Sequence, residues 1–534
     1  MDVSRPPPNG RRCGLTLGTV LASGVAAGGN RQIITHGGMR FGYPELDQRV
    51  RRLGAVLCAL GVSAGTRVAM LDRDTHRYLE AYFAVPMLGA VLMTANIRLS
   101  AQQLRYTLEH SGTRLVLAAA ELVPLLKEAF AGAAVIPELL VMGEDGQYDA
   151  LMESADASFE FPDVDEESVA THFYTTGTTG LPKGVTYTHR QLVEHTLAVG
   201  FALAAADDYQ SLRQGDVYMP LTPMFHVHAW GMPYIATLLG LKQVYPGRYD
   251  ALTLPGLIAT ERVTFSHCVP TVLQMVLDEA ERQGQSLHGW KVMVGGSAMA
   301  PALARRAMKS GLQPFAGYGM SETCPVLCFA RTNAQEASAY PERLCRVGHP
   351  VPLVQLQIEG EDRQPDATEG ELVARASWLT QAYFDDPTGS GRLWEGGHLH
   401  TGDVATIDMD GAVRIVDRLK DVIKSGGEWV SSLDLEAKLR EHPAVDEAAV
   451  IGIPDAKWGE RPWAFVKLAA AAPLSAAEAE AALRELLQSH VAQGLLPRFA
   501  IPERIEFVDE LPKTSVGKLD KKRLRLWTSE GDMT

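Results

Sequence analysis

The chain has 534 residues, of which 46% are hydrophobic, so it can form large buried cores and is too long for one ordinary domain. Its formal net charge of −14 argues against a broad electrostatic interaction with nucleic acid. The six cysteines are scattered and form no zinc-binding pattern, which predicts a reduced, cytoplasmic protein. No apolar run reaches the length of a membrane span.

The first third of the chain alternates between segments typical of helices and of strands. Pro44 occupies a favoured first helical position, and Gly61 follows the last apolar residue of that helix. Apolar segments at 68–71 and 91–94 are predicted strands, and 75–88 between them is a predicted helix. Strand–helix–strand order predicts a parallel sheet.

The most informative segment, which we call the threonine loop, covers 174–184 and reads YTTGTTGLPKG. Glycines let a backbone turn tightly and approach a ligand, while threonine hydroxyls and loop amides can donate to phosphate oxygens. The segment 169–174 is a predicted strand, so the loop lies at a strand end, where α/β proteins bind ligands. The spacing is not that of a Walker loop, and a plain surface loop is the alternative. The candidate nucleotide-binding residues here are Thr175, Thr176, Gly177, Thr178, Thr179, Gly180 and Lys183.

A second informative segment is FAGYGMSET, at 315–323. Gly317 and Gly319 flank Tyr318, so a flat base can lie against an aromatic ring and exposed backbone. Glu322 supplies a carboxylate oxygen of the kind that Mg²⁺ prefers when the ion is shared with phosphates. The alternative is a glycine-rich turn with a solvated glutamate, which the presence of the threonine loop disfavours.

The last part of the chain carries a third group of polar candidates. Asp403 can accept from the hydroxyls of a ribose and Arg418 can donate to them, although each alone is more often a salt-bridge partner. The segment 347–379 is predicted to be all-β. A helix capped by Ser432 and extending to His442 begins a region with the pattern of a small separate domain.

Five segments in order resemble the adenylate-forming superfamily, which contains acyl-CoA synthetases, luciferases and the adenylation domains of peptide synthetases. They are the threonine loop, Phe225 with His226, 317–323, 401–403 with Arg418, and Gly517 with Lys518. The segments FHVHAW at 225–230 and KSGGEW at 424–429 are similar to those of bacterial fatty acyl-CoA synthetases and methylthiopropionate-CoA ligases. The N-terminal third resembles the family in organisation only.

The resemblance implies an α/β fold with a large N-terminal domain and a small mobile α+β C-terminal domain. The large domain is expected to contain two doubly wound α/β subdomains and a β-barrel. The implied boundaries are 1–416 for the N-terminal domain, 417–420 for a hinge with Lys420 as its pivot, and 421–534 for the C-terminal lid.

The resemblance also implies a role for individual residues. Lys518 is expected to reach the α-phosphate and the substrate carboxylate, and Thr175 and Glu322 to hold Mg²⁺. Tyr318 is expected to face adenine, with Asp403 and Arg418 on ribose. The remaining implied residues are Gly296, Ser321, Lys420 and Lys424 for the nucleotide, His226, Val294, Gly295 and a gating Trp230 for the acyl group, and Gly427 and Trp429 for CoA.

His226 departs from one branch of the family. Amino-acid-activating relatives carry an aspartate after the aromatic residue, so a histidine there argues against an amino-acid substrate and fits a neutral acyl chain. We therefore include His226 among the candidate catalytic residues without assigning it a proton transfer. The alternative is a packed histidine with one satisfied nitrogen.

The function implied is an ATP-dependent carboxylate-CoA ligase that works in two steps through an acyl-adenylate, with ATP and CoA as co-substrates. Medium- or long-chain fatty acids are the first expectation for its substrate. Short thioether or aryl carboxylates, and a free-standing enzyme that loads a carrier protein, are alternatives. A luciferase-like oxygenase and a non-catalytic nucleotide sensor are further alternatives, and a homodimer is left open.

Overall fold

The structure is a computed structural model that describes residues 13–35, 37–143, 146–175, 181–360, 368–426, 428–469, 474–513 and 519–530. The threonine-loop residues 176–180, Gly427 and Lys518 lie outside these ranges. Among the described residues, none of the helices has both the length and the apolar composition needed to cross a bilayer.

The first half of the chain alternates strands and helices. Its first elements are α1 (Leu17–Gly28), β1 (Gln32–Thr35), β2 (Arg40–Gly42), α2 (Tyr43–Ala59), β3 (Arg67–Leu71), α3 (His76–Met87), β4 (Val91–Thr94), α4 (Ala101–His110), β5 (Leu115–Ala119), α5 (Val123–Ala129), β6 (Glu138–Met142) and α6 (Gln147–Ser154). They are followed by β7 (Val169–Thr175), β8 (Lys183–Thr188), α7 (His189–Ala204), β9 (Val217–Pro220), α8 (Val227–Trp230), α9 (Met232–Leu238), β10 (Lys242–Tyr245), α10 (Leu254–Glu261), β11 (Phe265–Cys268) and α11 (Pro270–Gln283).

The second half contains shorter strands. It begins with β12 (Lys291–Val294), α12 (Pro301–Lys309), β13 (Gln313–Gly319), β14 (Val326–Phe329), α13 (Ala334–Ala339), β15 (His349–Pro350), β16 (Gln355–Glu359), β17 (Glu369–Arg375), β18 (Tyr383–Phe384), α14 (Pro387–Leu393), β19 (Leu399–Ile407) and β20 (Val413–Arg418). It ends with β21 (Ile423–Ser425), β22 (Glu428–Val430), α15 (Ser432–Leu439), β23 (Val445–Asp455), β24 (Gly459–Leu468), α16 (Ala476–Ala492), β25 (Arg504–Phe507) and α17 (Lys521–Glu530).

Two large sheets with parallel centres form the body of the protein. One has seven strands in the order β18-β8-β7-β4-β3-β5-β6, and the other has nine in the order β15-β14-β13-β12-β11-β9-β10-β1-β2. β3 and β4 pair in parallel, as the strand–helix–strand pattern predicted. All residues of β4 are buried, which is typical of a parallel strand covered by helices on both faces.

Two smaller sheets follow. The antiparallel strands β16-β17-β19-β20 lie where the β-barrel was predicted. In the C-terminal part, β22-β21-β24-β23 form a sheet to which β25 adds in parallel on β24. The structure therefore has a large N-terminal part followed by a smaller α+β part, which confirms the predicted fold class.

The helix predicted to begin at Pro44 is present as α2, which has Pro44 in its first turn. Thr188 caps α7, since its hydroxyl accepts from the Gln191 amide at 3.2 Å. However, Ser431 and not Ser432 caps α15, which ends at Leu439 rather than His442. The hydroxyl of Ser432 is used differently, because it donates to Asp417 at 2.6 Å.

Helix α1 was not predicted, because its Gly/Ala/Val composition lacks a clear polar face. Its small residues allow close packing on α9. A Cβ on Gly24 would lie 2.4 Å from the carbonyl oxygen of Thr237, so the backbones touch only because that side chain is absent.

Candidate functional site

A single cavity collects most of the predicted site residues that the structure describes. It has a volume of about 300 Å³ and lies where β7, β12 and β13 end, beside the last residue of β20. The predicted site residues that line it are Thr175, His226, Trp230, Gly295, Gly296, Gly317, Tyr318, Gly319, Ser321, Glu322, Arg418 and Lys420. It is also lined by Asn96, Tyr174, Val227, Met293, Met320, Pro325, Val326 and Leu519.

Strands β7 and β8 bring the two ends of the threonine loop together. Thr175, the last residue of β7, pairs in antiparallel register with Lys183, the first residue of β8. Thr175 lines the cavity, whereas Lys183 is not among its lining residues. The ammonium of Lys183 is 3.5 Å from a carboxylate oxygen of Asp386 and 4.1 Å from the ring centroid of Tyr383. Lys183 is therefore anchored by a carboxylate and an aromatic ring.

The glycines at the ends of β12 and β13 make room for close backbone contacts. A Cβ on Gly319 would lie 1.7 Å from the carbonyl oxygen of Pro325, and one on Gly317 would lie 2.9 Å from the Met293 side chain. A Cβ on Gly295 would lie 2.7 Å from the carbonyl oxygen of Gly317. Larger residues at these positions would displace backbone or reduce the cavity.

Tyr318, Asp403 and Arg418 form a hydrogen-bonded chain at the cavity wall. The phenol of Tyr318 donates to Asp403 at 2.5 Å, and Nε of Arg418 lies 2.7 Å from the other carboxylate oxygen. Asp403 and Arg418 are register partners on β19 and β20. Burial and the Asp403 carboxylate raise the pKa of Tyr318 well above its ordinary value. Desolvation alone would lower the pKa of Arg418, but the same carboxylate reverses this and raises it.

Glu322 is a buried carboxylate at the cavity, with 6% of its surface exposed. Tyr383 donates to its Oε1 at 2.8 Å, and burial raises the pKa of Glu322. The described residues contain no group of three or more His, Cys, Asp or Glu side chains that could hold a metal ion. One hard oxygen ligand at a cavity fits Mg²⁺ only if a ligand such as a phosphate supplies further oxygens.

The segment that carries His226 and Trp230 has an unusual backbone. Val227, His228, Ala229 and Trp230 have φ values of 40°, 56°, 46° and 59°, so α8 is a left-handed turn. Each non-glycine residue in this conformation costs roughly 1–2 kcal/mol. Such strain persists only where the surroundings impose it, and it is concentrated at functional sites.

Contacts from β4, from α3 and from the loop between β3 and α3 hold the residues just before this turn. Oδ1 of Asp74 accepts from the Met224 amide at 2.6 Å, and Tyr82 donates to the Met224 carbonyl. The hydroxyl of Thr94 donates to the Phe225 carbonyl at 2.9 Å. These bonds fix the start of the left-handed turn.

The turn places Trp230 in the cavity wall. A Cβ on Gly295 would lie 3.0 Å from its indole ring. The ring of Trp230 also lies beside that of His267, with 5.1 Å between the two ring centroids. His267 is itself fixed, because its nitrogens lie 2.8 Å from the Tyr218 hydroxyl and 3.1 Å from the Thr222 hydroxyl.

Several predicted residues are not among the described residues that line the cavity. Val294 is buried within β12, and Asp403 lies behind Tyr318 and Arg418. Lys424 and Trp429 face each other across β21 and β22, with the ammonium 5.7 Å from the ring centroid. Leu519 lines the cavity, so the chain next to Lys518 reaches the site.

Sequence reasoning missed Tyr383, which connects Lys183 to Glu322. It lies on the two-residue strand β18, paired with β8, within a segment that has no glycine-rich or polar motif. Only the fold brings it to the site. Asn96 and Met293 were missed for the same reason.

Comparison with known proteins agrees with this geometry. Residues 22–384 match the AMP-binding enzyme family model, and residues 434–518 match the AMP-binding enzyme C-terminal domain. A long-chain-fatty-acid–CoA ligase of Thermus thermophilus is 40% identical over 529 residues, covering 96% of this chain and 95% of that protein. A 3-methylmercaptopropionyl-CoA ligase of Ruegeria pomeroyi is 35% identical, covering 92% and 93%.

Solved structures share the fold. A Mycobacterium tuberculosis fatty acyl CoA synthetase aligns with a TM-score of 0.72 at 27% identity, over 97% of this chain and 99% of that chain. An anthranilate CoA ligase in complex with anthranoyl-AMP aligns with a TM-score of 0.85 at 22% identity, over 96% of each chain.

The fold and the match along nearly the whole chain define an adenylate-forming enzyme. The chain belongs to the AMP-binding enzyme family and is an ATP-dependent acyl-CoA ligase, that is, an acid–thiol ligase.

Proposed function

We propose that this ligase joins a medium- or long-chain fatty acid to CoA through an acyl-adenylate. The observation that carries the proposal is that one cavity combines the charged groups of Glu322 and Arg418 with the apolar side chains of Trp230, Met293 and Val326. Such a site suits a substrate with a charged reacting end and an apolar body. The names of the Thermus relative and of a medium-chain-fatty-acid–CoA ligase of Ectopseudomonas oleovorans, 33% identical, support this substrate class.

The chemistry explains why the site needs cations and oriented donors. A free carboxylate is a poor acylating agent, because its leaving group would be oxide. Its attack on the α-phosphate of ATP gives an acyl-adenylate and pyrophosphate, through a transition state that spreads negative charge over phosphate oxygens. In our proposal Lys518 and the threonine loop from Thr175 to Gly180 stabilise that charge.

The nucleotide is proposed to lie along the Tyr318 side of the cavity. Adenine would face the ring of Tyr318 and the glycine backbone beside it. Asp403 would accept from the ribose hydroxyls, and Arg418 would hold that carboxylate in place, as it does at 2.7 Å. Gly296, Ser321 and Lys424 complete the proposed nucleotide set.

Thr175 and Glu322 are the residues that would hold Mg²⁺ together with the ATP phosphates. When bound, the ion would neutralise phosphate charge. The hydrogen bond from Tyr383 fixes the orientation of the Glu322 carboxylate. The ammonium of Lys183 lies over the ring of Tyr383 and pairs with Asp386, which helps to keep this ring in place.

The acyl group is proposed to lie along His226, Val294, Gly295 and Trp230, with Trp230 as the gate. The indole lies in the wall of the cavity, so in our proposal it moves for a long acyl chain to enter. The left-handed turn is a source of that movement, because its strain is released when the backbone changes conformation.

The thiol step is proposed to follow rotation of the C-terminal domain about Lys420. Gly427 and Trp429 would then lie along the route of the CoA thiol. The domain boundaries at 416 and 421, a cytoplasmic location and a homodimer all stay predictions.

Short thioether and aryl acids form the second candidate substrate class. The Ruegeria relative is named for 3-methylmercaptopropionyl-CoA, and a feruloyl-CoA synthase of Amycolatopsis is 33% identical. The small cavity with Trp230 in place favours such short or flat acids. Transfer to a carrier protein is the alternative for the acceptor.

A carboxylate panel tests the proposal. Pyrophosphate release would be measured for fatty acids of increasing length, 3-methylmercaptopropionate and ferulate, with and without CoA. We expect medium or long fatty acids to give the highest kcat/KM and CoA to be required for turnover. A higher kcat/KM for the thioether or aryl acid would contradict the proposed substrate class. Turnover with a carrier protein but not with CoA would contradict the proposed acceptor.

A further inference from the structure

A buried hydrogen-bond network crosses the predicted hinge. Asp417, the last residue before Arg418 on β20, is 1% exposed. One of its carboxylate oxygens accepts from the Arg418 amide at 2.7 Å. The other accepts from the amide of Ser432 at 2.5 Å and from its hydroxyl at 2.6 Å. Ser432 is the first residue of α15, so the two ends of this contact lie on either side of Lys420.

Lys521 joins the same network from the C-terminal helix. Its ammonium donates to the Ser432 hydroxyl at 2.5 Å and lies 2.7 Å from a carboxylate oxygen of Glu436. Lys521 and Glu436 are 8% and 5% exposed, and Ser432 is fully buried. A buried charge needs well-placed partners, so removing one partner of such a network has a large effect.

The network places two carboxylates, Asp417 and Glu436, around one ammonium. Burial alone would lower the pKa of Lys521, but the charges of Glu436 and Asp417 reverse the effect and raise it. Lys521 is therefore positively charged at neutral pH. Lys521 is also the first residue of α17.

The chain just before α17 contributes one described residue to the candidate active site. Leu519 lines the cavity, and Lys518 is its neighbour in the chain. One turn further along α17, Arg525 donates to Asp421 at 2.7 Å and to the Lys420 carbonyl at 3.3 Å. Helix α17 is thus bonded through Lys521 to α15, and through Arg525 to Lys420 and Asp421 at the end of the hinge, while Leu519 lines the cavity.

We infer that Asp417, Ser432 and Lys521 form a latch that stabilises the adenylate-forming orientation of the C-terminal domain, in which Leu519 lines the cavity. The inference rests on the proposed function, since it takes Lys420 as the pivot between two half-reactions. Rotation about Lys420 separates Ser432 from Asp417. The latch must therefore open before the thiol step and re-form for the next adenylation, and it acts on the equilibrium between the two orientations.

The test uses the full-length enzyme with Ser432→Ala and Lys521→Met variants. Adenylation is measured as carboxylate-dependent ATP–pyrophosphate exchange, and the thiol step as acyl-CoA formation from preformed acyl-adenylate and CoA. We expect each variant to lose about tenfold in exchange, which corresponds to about 1.4 kcal/mol in the orientation equilibrium, with an unchanged or faster thiol step. The ratio of the two rates is decisive, because general destabilisation lowers both together.

Lys467→Met is the matched control. Lys467 pairs with Asp446 at 2.9 Å within the C-terminal sheet and does not cross the hinge, so its loss is expected to leave the ratio unchanged. Equal loss in both steps, or no loss in either, for Ser432→Ala would overturn the latch. If Lys521→Met does not fold, the ratio of the two rates in Ser432→Ala is sufficient to test the latch. A wild-type enzyme that shows exchange but forms no acyl-CoA would instead overturn the proposed function, so the two failures are distinguishable.

Discussion

The phenol of Tyr318 donates a 2.5 Å hydrogen bond to the carboxylate of Asp403, although the two residues are 85 positions apart in the sequence. One lies at the end of a strand of the nine-stranded sheet and the other in the small antiparallel sheet. The bond fixes the aromatic ring and the carboxylate relative to each other, so the proposed adenine and ribose contacts form a preorganised unit.

Asp403→Asn tests the proposed ribose contact. Hydrogen bonds to a charged group contribute roughly 1.5–3 kcal/mol, so the KM for ATP is expected to rise by roughly 10- to 100-fold. Discrimination between ATP and 2′,3′-dideoxy-ATP should shrink in the variant, as measured by pyrophosphate exchange. Asp408→Asn is the control, because Asp408 pairs with Arg346 at the surface at 2.6 Å. An unchanged KM and unchanged discrimination would contradict the assignment.

Tyr383→Phe tests how Glu322 is oriented. The substitution removes the 2.8 Å hydrogen bond and keeps the ring beside Lys183. We expect adenylation to slow by roughly three- to tenfold, in line with the ~1 kcal/mol of a typical hydrogen bond, and to need more Mg²⁺ for half-maximal rate. The measurement is exchange against magnesium concentration. Tyr340→Phe serves as an exposed control, and identical magnesium curves for Tyr383→Phe and wild type would count against the role.

Gly319→Ala tests the close approach at the end of β13. The added Cβ would lie 1.7 Å from the Pro325 carbonyl oxygen, so the backbone must shift. We expect a loss of stability of roughly 2 kcal/mol or more and loss of ATP binding, measured by chemical unfolding and calorimetry. Gly256→Ala, in α10 with no atom near its Cβ, should instead be neutral or stabilise by up to ~1 kcal/mol. Equal stabilities for both variants would show that the approach is not tight.

The raised pKa of the buried Asp74 carboxyl predicts that the stability of the protein depends on pH. Burial raises the pKa of Asp74 to about 7, although the Met224 amide donates to it. In the unfolded chain the same carboxyl titrates near ~4, so between these values the native state binds more protons than the unfolded state. The free energy of unfolding contributed by this group therefore falls as pH rises from about 4 to about 7.

Asp74→Asn removes this titration while keeping an acceptor for the Met224 amide. The melting temperature of the variant relative to wild type should increase from pH 5 to pH 8. Asp72, whose pKa burial raises to about 6, is present in both proteins, so the part of its titration that is due to its own burial is common to both. A difference that stays constant across this range would show that Asp74 is charged throughout.

Much of the site was predictable because local chemistry carried the signal. Thr175, Tyr318 and Glu322 sit in short segments whose residue types already fit phosphate, base and metal chemistry, and all three line the cavity. The helix boundary at Thr188 was predictable for the same reason, since capping is local.

The remainder depends on contacts between distant residues. The anchoring of Lys183 by Asp386 and the donation from Tyr383 to Glu322 arise only when β18 adds to β8. The left-handed turn that carries Trp230 consists of residues that ordinarily avoid this conformation, so no local preference indicates it. It is imposed by surrounding bonds such as that from Thr94.

The rate of carboxylate-dependent ATP–pyrophosphate exchange in Lys518→Ala tests the central claim most directly. We predict a loss of about 100-fold or more, the size expected for a preorganised electrostatic group, while acyl-CoA formation from preformed acyl-adenylate changes little. Lys513→Ala, which removes only a surface pair with Glu447 at 2.8 Å, should exchange at the wild-type rate. Exchange by Lys518→Ala at the wild-type rate would contradict the account.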